Sequence, residues 1–215
     1  MRMKKAGIIV AMQKELGLIG PLPGTEGVQI RTVLSGMGKV NAAVATLKLI
    51  MEFRPDFILN LGAAGSLDPD CVLGTTVLGA RTSYHDVWCG AEAGENGAHG
   101  IAVDFDADPG LLEKAASLLP GARVGRIVTG DQFFISEEED RRQKTLYPDA
   151  LAADMESAAI AQTCQMEGVP FLSIRVISDI HSDAGQAESY ASFWDGASSP
   201  AGEAFRSIRR IIPLL

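Results

Sequence analysis

Short apolar runs alternate with helix-like segments through most of this 215-residue chain, and this alternation constrains its fold more than any other feature. Strands are predicted at 6–12, 28–33, 57–61, 72–80, 124–129 and 171–177. Helices are predicted at 40–53, 109–119, 158–167 and 200–212. Such alternation predicts an α/β fold, in which a single three-layer domain spanning residues 1–215 has a mixed, largely parallel central sheet flanked by helices.

The charge and the cysteines exclude several classes of protein. The formal net charge of -8 is spread along the chain, and no basic cluster could neutralise a row of phosphates, which argues against nucleic acid as a partner. No uninterrupted apolar run is long enough to cross a bilayer, so no membrane insertion is expected. The scattered Cys71, Cys89 and Cys164 form no metal-site spacing. They fit a cytoplasmic protein without structural zinc.

Three glycine-rich stretches carry little information by themselves. Those at 35–38 and 62–65 follow predicted strands, where glycine often serves only a positive φ or close packing. Neither matches a P-loop or the GxGxxG fingerprint, which argues against nucleoside triphosphates and NAD, and no cofactor is expected. The third stretch, at 89–100, has no clear period and is predicted to be a loop.

Two acidic elements lie late in the chain, where predicted strands and helices meet. Asp154 and Glu156 open a helix of small residues, and Asp179 follows the apolar run 171–177. Asp179 could be only an N-cap, and Glu156 could only complement the helix dipole. However, a carboxylate can also accept hydrogen bonds from two adjacent hydroxyls, as on ribose. Arg175 would need an acidic partner or a ligand if it is buried, and its presence favours a functional role for these acids.

Other candidate residues are ambiguous from local sequence. Phe133 and Phe134 could belong to the core or could stack on a flat base. Glu15 has the local sequence of a solvated helix residue, and only its position after the first strand favours function. His85 and His181 have no serine or cysteine in a nucleophile-elbow context, so a hydrolase triad is not expected.

Seven short stretches, covering most of the chain up to Asp179, carry a more specific signal as a set. They are GIIVAMQKE at 7–15, SGMGKVNAA at 35–43, NLGAAG at 60–65, YHD at 84–86, GDQF at 130–133, DMESAA at 154–159 and RVISD at 175–179. In this order they resemble the 5'-methylthioadenosine/S-adenosylhomocysteine nucleosidases of the purine nucleoside phosphorylase superfamily. The resemblance implies a nucleoside phosphorylase-like fold and hydrolysis of an N-glycosidic bond.

The resemblance also implies a role for each candidate residue. Glu15 is expected to position or activate the attacking water, and Asp179 to protonate the purine at N7 as adenine departs. The other implied substrate-binding residues are Glu156 at the ribose hydroxyls, Met155 against the sugar, Ser35 and Arg175 near the water, Phe133 stacked on the base, the backbone of Phe134 at the adenine edge, and Ser178.

The implied partner is a small purine nucleoside, and the implied assembly is a homodimer. The family builds its 5'-substituent pocket partly from the late segment and partly from a neighbouring subunit. This sequence departs from the family pattern in three places: 16–34 is shorter than usual, Asp154 stands where Glu is common, and 181–200 matches poorly. These departures bear on the 5'-substituent rather than on the reaction.

Three alternatives remain open at this point. A futalosine hydrolase-like enzyme would act on a 6-oxopurine nucleoside, which an acid at Asp179 mildly opposes because a 6-oxo group requires a donor. A phosphate-dependent phosphorylase is disfavoured because Glu15 and Asn60 occupy the regions where the phosphorylases carry their phosphate-binding arginines. A nucleoside-binding module without activity is opposed by the joint presence of Glu15, Glu156 and Asp179.

Overall fold

A computed structural model describes residues 3–22, 27–87, 103–134, 136–180, 193–194 and 199–215. The predicted loop at 89–100 and most of the segment 181–200 lie outside the described residues. The strands in the described part are β1 (Lys4–Val10), β2 (Val28–Leu34), β3 (Phe57–Ser66), β4 (Thr76–Tyr84), β5 (Asp104–Asp106), β6 (Arg123–Thr129), β7 (Ala150–Asp154) and β8 (Phe171–Ile180).

The helices agree with the sequence predictions to within one residue wherever one was made. They are α1 (Gln13–Ile19), α2 (Lys39–Phe53), α3 (Pro109–Leu118), α4 (Glu137–Leu146), α5 (Ser157–Glu167) and α6 (Pro200–Ile211). Asp108 caps α3 by accepting a hydrogen bond from the Leu111 N–H at 2.9 Å, and Gly168 ends α5 with a φ of 67°. Across the described residues, none of the helices combines the length and the apolar character needed to cross a bilayer.

The eight described strands form one mixed sheet. Parallel ladders join β1 to β2 and β3, β3 to β8, β4 to β6, and β6 to β7. Antiparallel ladders join β3 to β7, β4 to β5, and β4 to β8. Because β8 pairs with both β3 and β4, the strands β3, β7, β6, β4 and β8 close into a ring. The prediction of a mixed, largely parallel sheet is confirmed.

Alternate residues of the central strands feed two separate cores. Ile8 of β1 and Leu59 of β3 belong to a core that includes residues of α1, α3 and α6. Their neighbours Ile9 and Ile58 belong to a second core with residues of α2 and α5. Since successive side chains of a strand point to opposite faces, helices cover both faces of the sheet. This is the predicted three-layer arrangement.

Three strand predictions need correction. β3 continues to Ser66, so the glycine-rich stretch 62–65 is strand interior with a register shift between Ala64 and Gly65, not a turn. β8 continues to Ile180, so Asp179 lies within a strand rather than after it. β4 begins at Thr76, four residues later than predicted. In each case pairing with a neighbouring strand, which local sequence does not show, decides where the strand ends.

Two strands were not predicted. β7 has the sequence ALAAD, and alanine is depleted in strands, so it carries no strand signal of its own. It forms because β6 pairs with it in parallel and the end of β3 pairs with it antiparallel. Among the described strands, the three-residue β5 pairs only with β4. The position of β7 matters for function because it delivers Asp154 to the sheet edge.

Candidate active site

One pocket lies where the ends of β1, β7 and β8 approach the second half of β3. Its empty space is ≈ 600 Å³, including solvent at its open side. The pocket is lined by seven of the nine predicted site residues: Glu15, Phe133, Phe134, Met155, Glu156, Ser178 and Asp179. Ser35 and Arg175 are not among the described residues that line it. The fold therefore brings together groups that are up to 164 positions apart in the sequence, from Glu15 to Asp179.

Glu15 is held by backbone donors on two different elements. It lies in the first turn of α1, and its Oε2 accepts from the Met12 N–H at 2.8 Å. Its Oε1 accepts from the Ala63 N–H of β3 at 2.7 Å. Burial raises the pKa of Glu15, although Arg175 and these N–H groups act in the opposite direction. A raised pKa brings the carboxylate closer to the range in which a general base works at neutral pH.

Arg175 is fully buried in β8 and pairs with two acids. Its Nη2 lies 2.6 Å from Asp154 Oδ2 and 3.4 Å from Glu156 Oε2. The prediction that a buried Arg175 needs an acidic partner is therefore confirmed. A Cβ on Gly62 would lie 2.1 Å from Arg175 Nη1 and 2.5 Å from Glu15 Oε1. Arg175 Nη1 and Glu15 Oε1 consequently both lie where a side chain at Gly62 would stand, so only glycine leaves room for them.

Glu156 occupies the N-cap position of α5 but does not cap it with its side chain. Its Oε1 instead accepts from the Gly38 N–H at 2.9 Å. Burial raises the pKa of Glu156 to about 7, against the attraction of Arg175 and with the repulsion of Asp154. A residue that only complements the helix dipole would not need these contacts with Gly38 and Arg175. Glu156 is poised between its neutral and ionised forms near neutral pH.

Asp154 was singled out in the sequence but was not among the nine predicted site residues, and the structure places it at the centre of a buried polar cluster. Its carboxylate accepts from Thr129 Oγ1 at 2.6 Å, from the Ser157 N–H at 3.2 Å and from the Ser157 hydroxyl, besides pairing with Arg175. It thus fixes the guanidinium between Glu15 and Glu156. A signal was present, because an arginine in a core strand requires an acid and Asp154 stands two positions from Glu156.

Asp179 is oriented by its neighbour in β8. The Ser178 hydroxyl donates to Asp179 Oδ1 at 2.5 Å, while the Ala64 carbonyl oxygen is farther away at 3.3 Å. A hydroxyl has one proton, so the shorter contact takes it. Asp179 has 1% of its surface exposed and still lines the pocket. A carboxyl group held this way can present one oxygen to a ligand in a fixed direction.

The sequence left open whether Phe133 and Phe134 belong to the core or could stack on a base, and the structure gives a different answer for each. Phe134 is buried at 3% exposure, and its ring packs on His85 with centroids 5.0 Å apart. Phe133 is 52% exposed on the pocket wall. Phe134 is therefore a core side chain, and Phe133 presents an open aromatic face of the kind on which a flat base can stack.

Ser35 and Asn60 make polar contacts with groups around the pocket. The Ser35 hydroxyl lies 2.8 Å from the Gly36 carbonyl oxygen. Asn60 is buried and its Nδ2 donates to Ser157 Oγ at 3.0 Å. Both contacts belong to the framework around the pocket. Among the described residues, no group of three or more His, Cys, Asp or Glu side chains could hold a metal ion.

Comparison with known proteins agrees with the geometry of the site. The family model of the phosphorylase superfamily matches residues 5–212. The 5'-methylthioadenosine/S-adenosylhomocysteine nucleosidase of Staphylococcus aureus (strain MRSA252) is 37% identical over 180 residues, which cover 81% of this chain and 78% of that protein.

Solved structures give the same result. The 5'-methylthioadenosine/S-adenosylhomocysteine nucleosidase of Neisseria meningitidis, in complex with methylthio-immucillin-A, superposes with a TM-score of 0.86 at 32% identity, covering 99% of this chain and 100% of that one. The futalosine hydrolase of Helicobacter pylori reaches 0.85 at 25% identity, with 99% of each chain covered. This chain therefore belongs to the phosphorylase superfamily and, within it, to the 5'-methylthioadenosine/S-adenosylhomocysteine nucleosidase family.

Proposed function

We propose that this chain hydrolyses the N-glycosidic bond of a 5'-modified adenosine, such as 5'-methylthioadenosine or S-adenosylhomocysteine, and releases adenine. The observation that carries the proposal is the joint placement of Glu15, Glu156 and Asp179 in one pocket beside the exposed face of Phe133. Family membership and the relatives' names support the choice of substrate.

The proposed reaction assigns one step to each acid. The oxygen of a water molecule attacks the anomeric carbon and Glu15 takes the proton, while the electrons of the breaking C–N bond pass to the purine. Asp179 delivers a proton to N7 of the leaving base. Glu156 accepts hydrogen bonds from the ribose hydroxyls, and the carboxylates stabilise the positive charge that develops on the sugar.

Adenine release from 5'-methylthioadenosine in phosphate-free buffer is the direct test. We expect turnover by the native chain and a loss in kcat of about 10² or more in Asp179→Asn, the usual scale for losing a general acid. The exposed Asp149→Asn serves as the control for the substitution itself. Absence of adenine release with every 5'-modified adenosine tried would refute the proposal.

A second candidate substrate is a 6-oxopurine nucleoside, since the futalosine hydrolase of H. pylori is nearly as similar in structure. A protonated Asp179 would donate to N7 through its hydroxyl, and its carbonyl oxygen would accept from an exocyclic amine. A 6-oxo group offers no such donor. Comparing the rates of hypoxanthine and adenine release decides between the two, and a requirement for phosphate would instead indicate a phosphorylase.

We further propose that the chain forms a homodimer through α2. Val40, Val44, Leu47 and Met51 are exposed at helical spacing on one face, with Val40 74% and Met51 69% exposed. An apolar face of this kind favours a protein partner. Met37, which precedes the helix, is 58% exposed and lines the pocket. A second copy on this face would therefore border the site.

The assembly is testable by mass in solution. Val44→Glu should give a monomer in light scattering, whereas Val72→Glu, at an exposed valine outside α2, should leave the mass unchanged. A native chain that is monomeric at micromolar concentration would refute the dimer. We also propose a cytoplasmic location, since scattered cysteines without a pairing pattern are typical of a reducing compartment.

A further inference from the structure

Lys39, Asp86 and Asp131 form a closed hydrogen-bonded set, here called the lysine–aspartate network, next to the pocket but not among the residues that line it. Asp86 Oδ2 accepts from Lys39 Nζ at 2.6 Å and from the Asp131 N–H at 2.9 Å. Asp131 Oδ1 accepts from the Lys39 N–H at 2.8 Å. Each member therefore contacts both of the others.

The network joins two parts of the pocket that handle different parts of a nucleoside. Gly38 immediately precedes Lys39, and its N–H donates to Glu156 Oε1 at 2.9 Å. Asp131 stands two positions before Phe133, the exposed aromatic on the pocket wall. The network thus connects the carboxylate proposed to hold the ribose with the ring proposed to hold the base.

Close backbone packing makes this connection stiff. Gly38 has a φ of 92°, and a Cβ at this position would lie 3.0 Å from Asp131 Oδ1. A Cβ on Gly130 would lie 2.9 Å from the Asp86 carboxyl carbon and 2.3 Å from His85 Cε1. The side chains of Lys39 and Asp86 are largely buried, at 25% and 16% exposure. The two loops consequently have little freedom to shift independently.

Resting on the nucleosidase function proposed above, we propose that Asp131 is a positioning residue, which fixes the Phe133 ring relative to Glu156 through its hydrogen bond to the Lys39 N–H. Base and ribose are joined by one bond, so the spacing between the groups that bind them must match the nucleoside. Small errors in such spacing are costly in binding and in rate. Asp131 itself touches neither the base nor the sugar in this arrangement.

The substitutions Asp131→Ala and Asp131→Asn separate this role from general stability. Alanine removes the acceptor for the Lys39 N–H, and asparagine retains an Oδ1 acceptor at the same place. We expect Asp131→Ala to raise the KM for 5'-methylthioadenosine by about tenfold and the Kd for adenine, which lacks the ribose, by about fivefold, with a smaller change in kcat. Asp131→Asn should stay within about threefold of the native values. Asp149→Ala, which removes an exposed aspartate that is paired with Arg126 and does not line the pocket, should match the native chain.

A double-mutant cycle tests whether Asp131 acts through the aromatic ring. In a Phe133→Ala background, Asp131→Ala should weaken adenine binding further by less than about twofold, since the group being positioned is gone. The proposal would be overturned if the effects of the two substitutions were fully additive. It would also be overturned if Asp131→Ala left KM and Kd unchanged, or if alanine and asparagine at position 131 changed them equally.

Adenine binding and adenine release together distinguish a failure of the proposed function from a failure of the positioning role. Adenine binding is measured by calorimetry and needs no turnover, so a native chain that binds adenine but releases none from nucleosides would refute the function and leave the positioning test intact. A native chain that binds no adenine would overturn both.

Discussion

The buried ion pair between Arg175 and Asp154 allows a direct test of how burial changes the contribution of an ion pair to stability. Arg175→Met keeps a side chain of similar length and removes the cation, which leaves Asp154 and Glu156 buried without their main neutralising partner. Breaking a buried pair by removing one partner costs about 3–5 kcal/mol. For a chain of this size, about 1 kcal/mol shifts Tm by about 2–4 °C. We therefore expect Tm to fall by about 6–20 °C.

Arg81→Met is a matched control. Arg81 Nε lies 2.6 Å from Asp106 Oδ1, the same distance as in the buried pair, but these side chains are 44% and 67% exposed. Exposed pairs contribute about 0–1 kcal/mol because water screens them, so Tm should fall by less than about 4 °C. The shortest N–O distance is the same for the two arginines, so the comparison tests the effect of their different burial.

The loss in Arg175→Met should also depend on pH. Without the guanidinium, the pKa of Glu156, which burial already raises to about 7, rises further above its unfolded value. A carboxyl group whose pKa is higher in the folded than in the unfolded state stabilises the fold at low pH. This contribution to stability is lost as pH rises through the folded pKa. Differential scanning calorimetry at pH 5.5 and pH 8, about one to two units either side of the raised pKa, should show the larger deficit at pH 8. A deficit equal to that of Arg81→Met, or one independent of pH, would refute the reasoning.

Three further predictions concern catalysis. Because burial raises the pKa of Glu156 to about 7, the KM for 5'-methylthioadenosine should rise as pH falls below that value, by about tenfold per unit, and Glu156→Gln should flatten this pH profile. Gly62→Ala should lower kcat at least about tenfold by displacing Arg175 and Glu15, whereas Gly17→Ala, with open space around its Cβ, should not. Phe133→Ala should weaken adenine binding in calorimetry by about fivefold or more with little change in Tm, since its ring is half exposed and is proposed to stack on the base.

The helices could be predicted closely because their signals are local. Asp108 before Pro109 and Gly168 after Glu167 each act on backbone groups within a few residues, so the sequence around each end contains the cause of that end. The strands differ because their ends depend on partners. Asp179 lies inside β8 because β3 continues beside it to Ser66, and no residue near Asp179 reveals this.

The site shows the same division between local and distant causes. The resemblance pointed to Glu15, yet the groups that hold Glu15 are backbone N–H donors of Met12 and Ala63, and backbone donors have no side-chain signature. Phe133 and Phe134 are identical in type, and tertiary packing, including that of Phe134 on His85, decides which ring is buried. Residue identity indicated which groups take part, and tertiary contacts determine what each can do.

The site contains more buried carboxylates than cations, and the proposed reaction gives a reason for this excess. Glu15, Asp154 and Glu156 surround Arg175, so the carboxylates outnumber the cation, and burial raises the pKa of both Glu15 and Glu156. In the free protein this excess is unfavourable, because buried negative charge lacks full compensation. A ribosyl group that develops positive charge as its base departs supplies that compensation. In the proposed reaction, the same carboxylates that cost stability in the free protein would bind the transition state more tightly than the neutral substrate, which is the condition for catalysis.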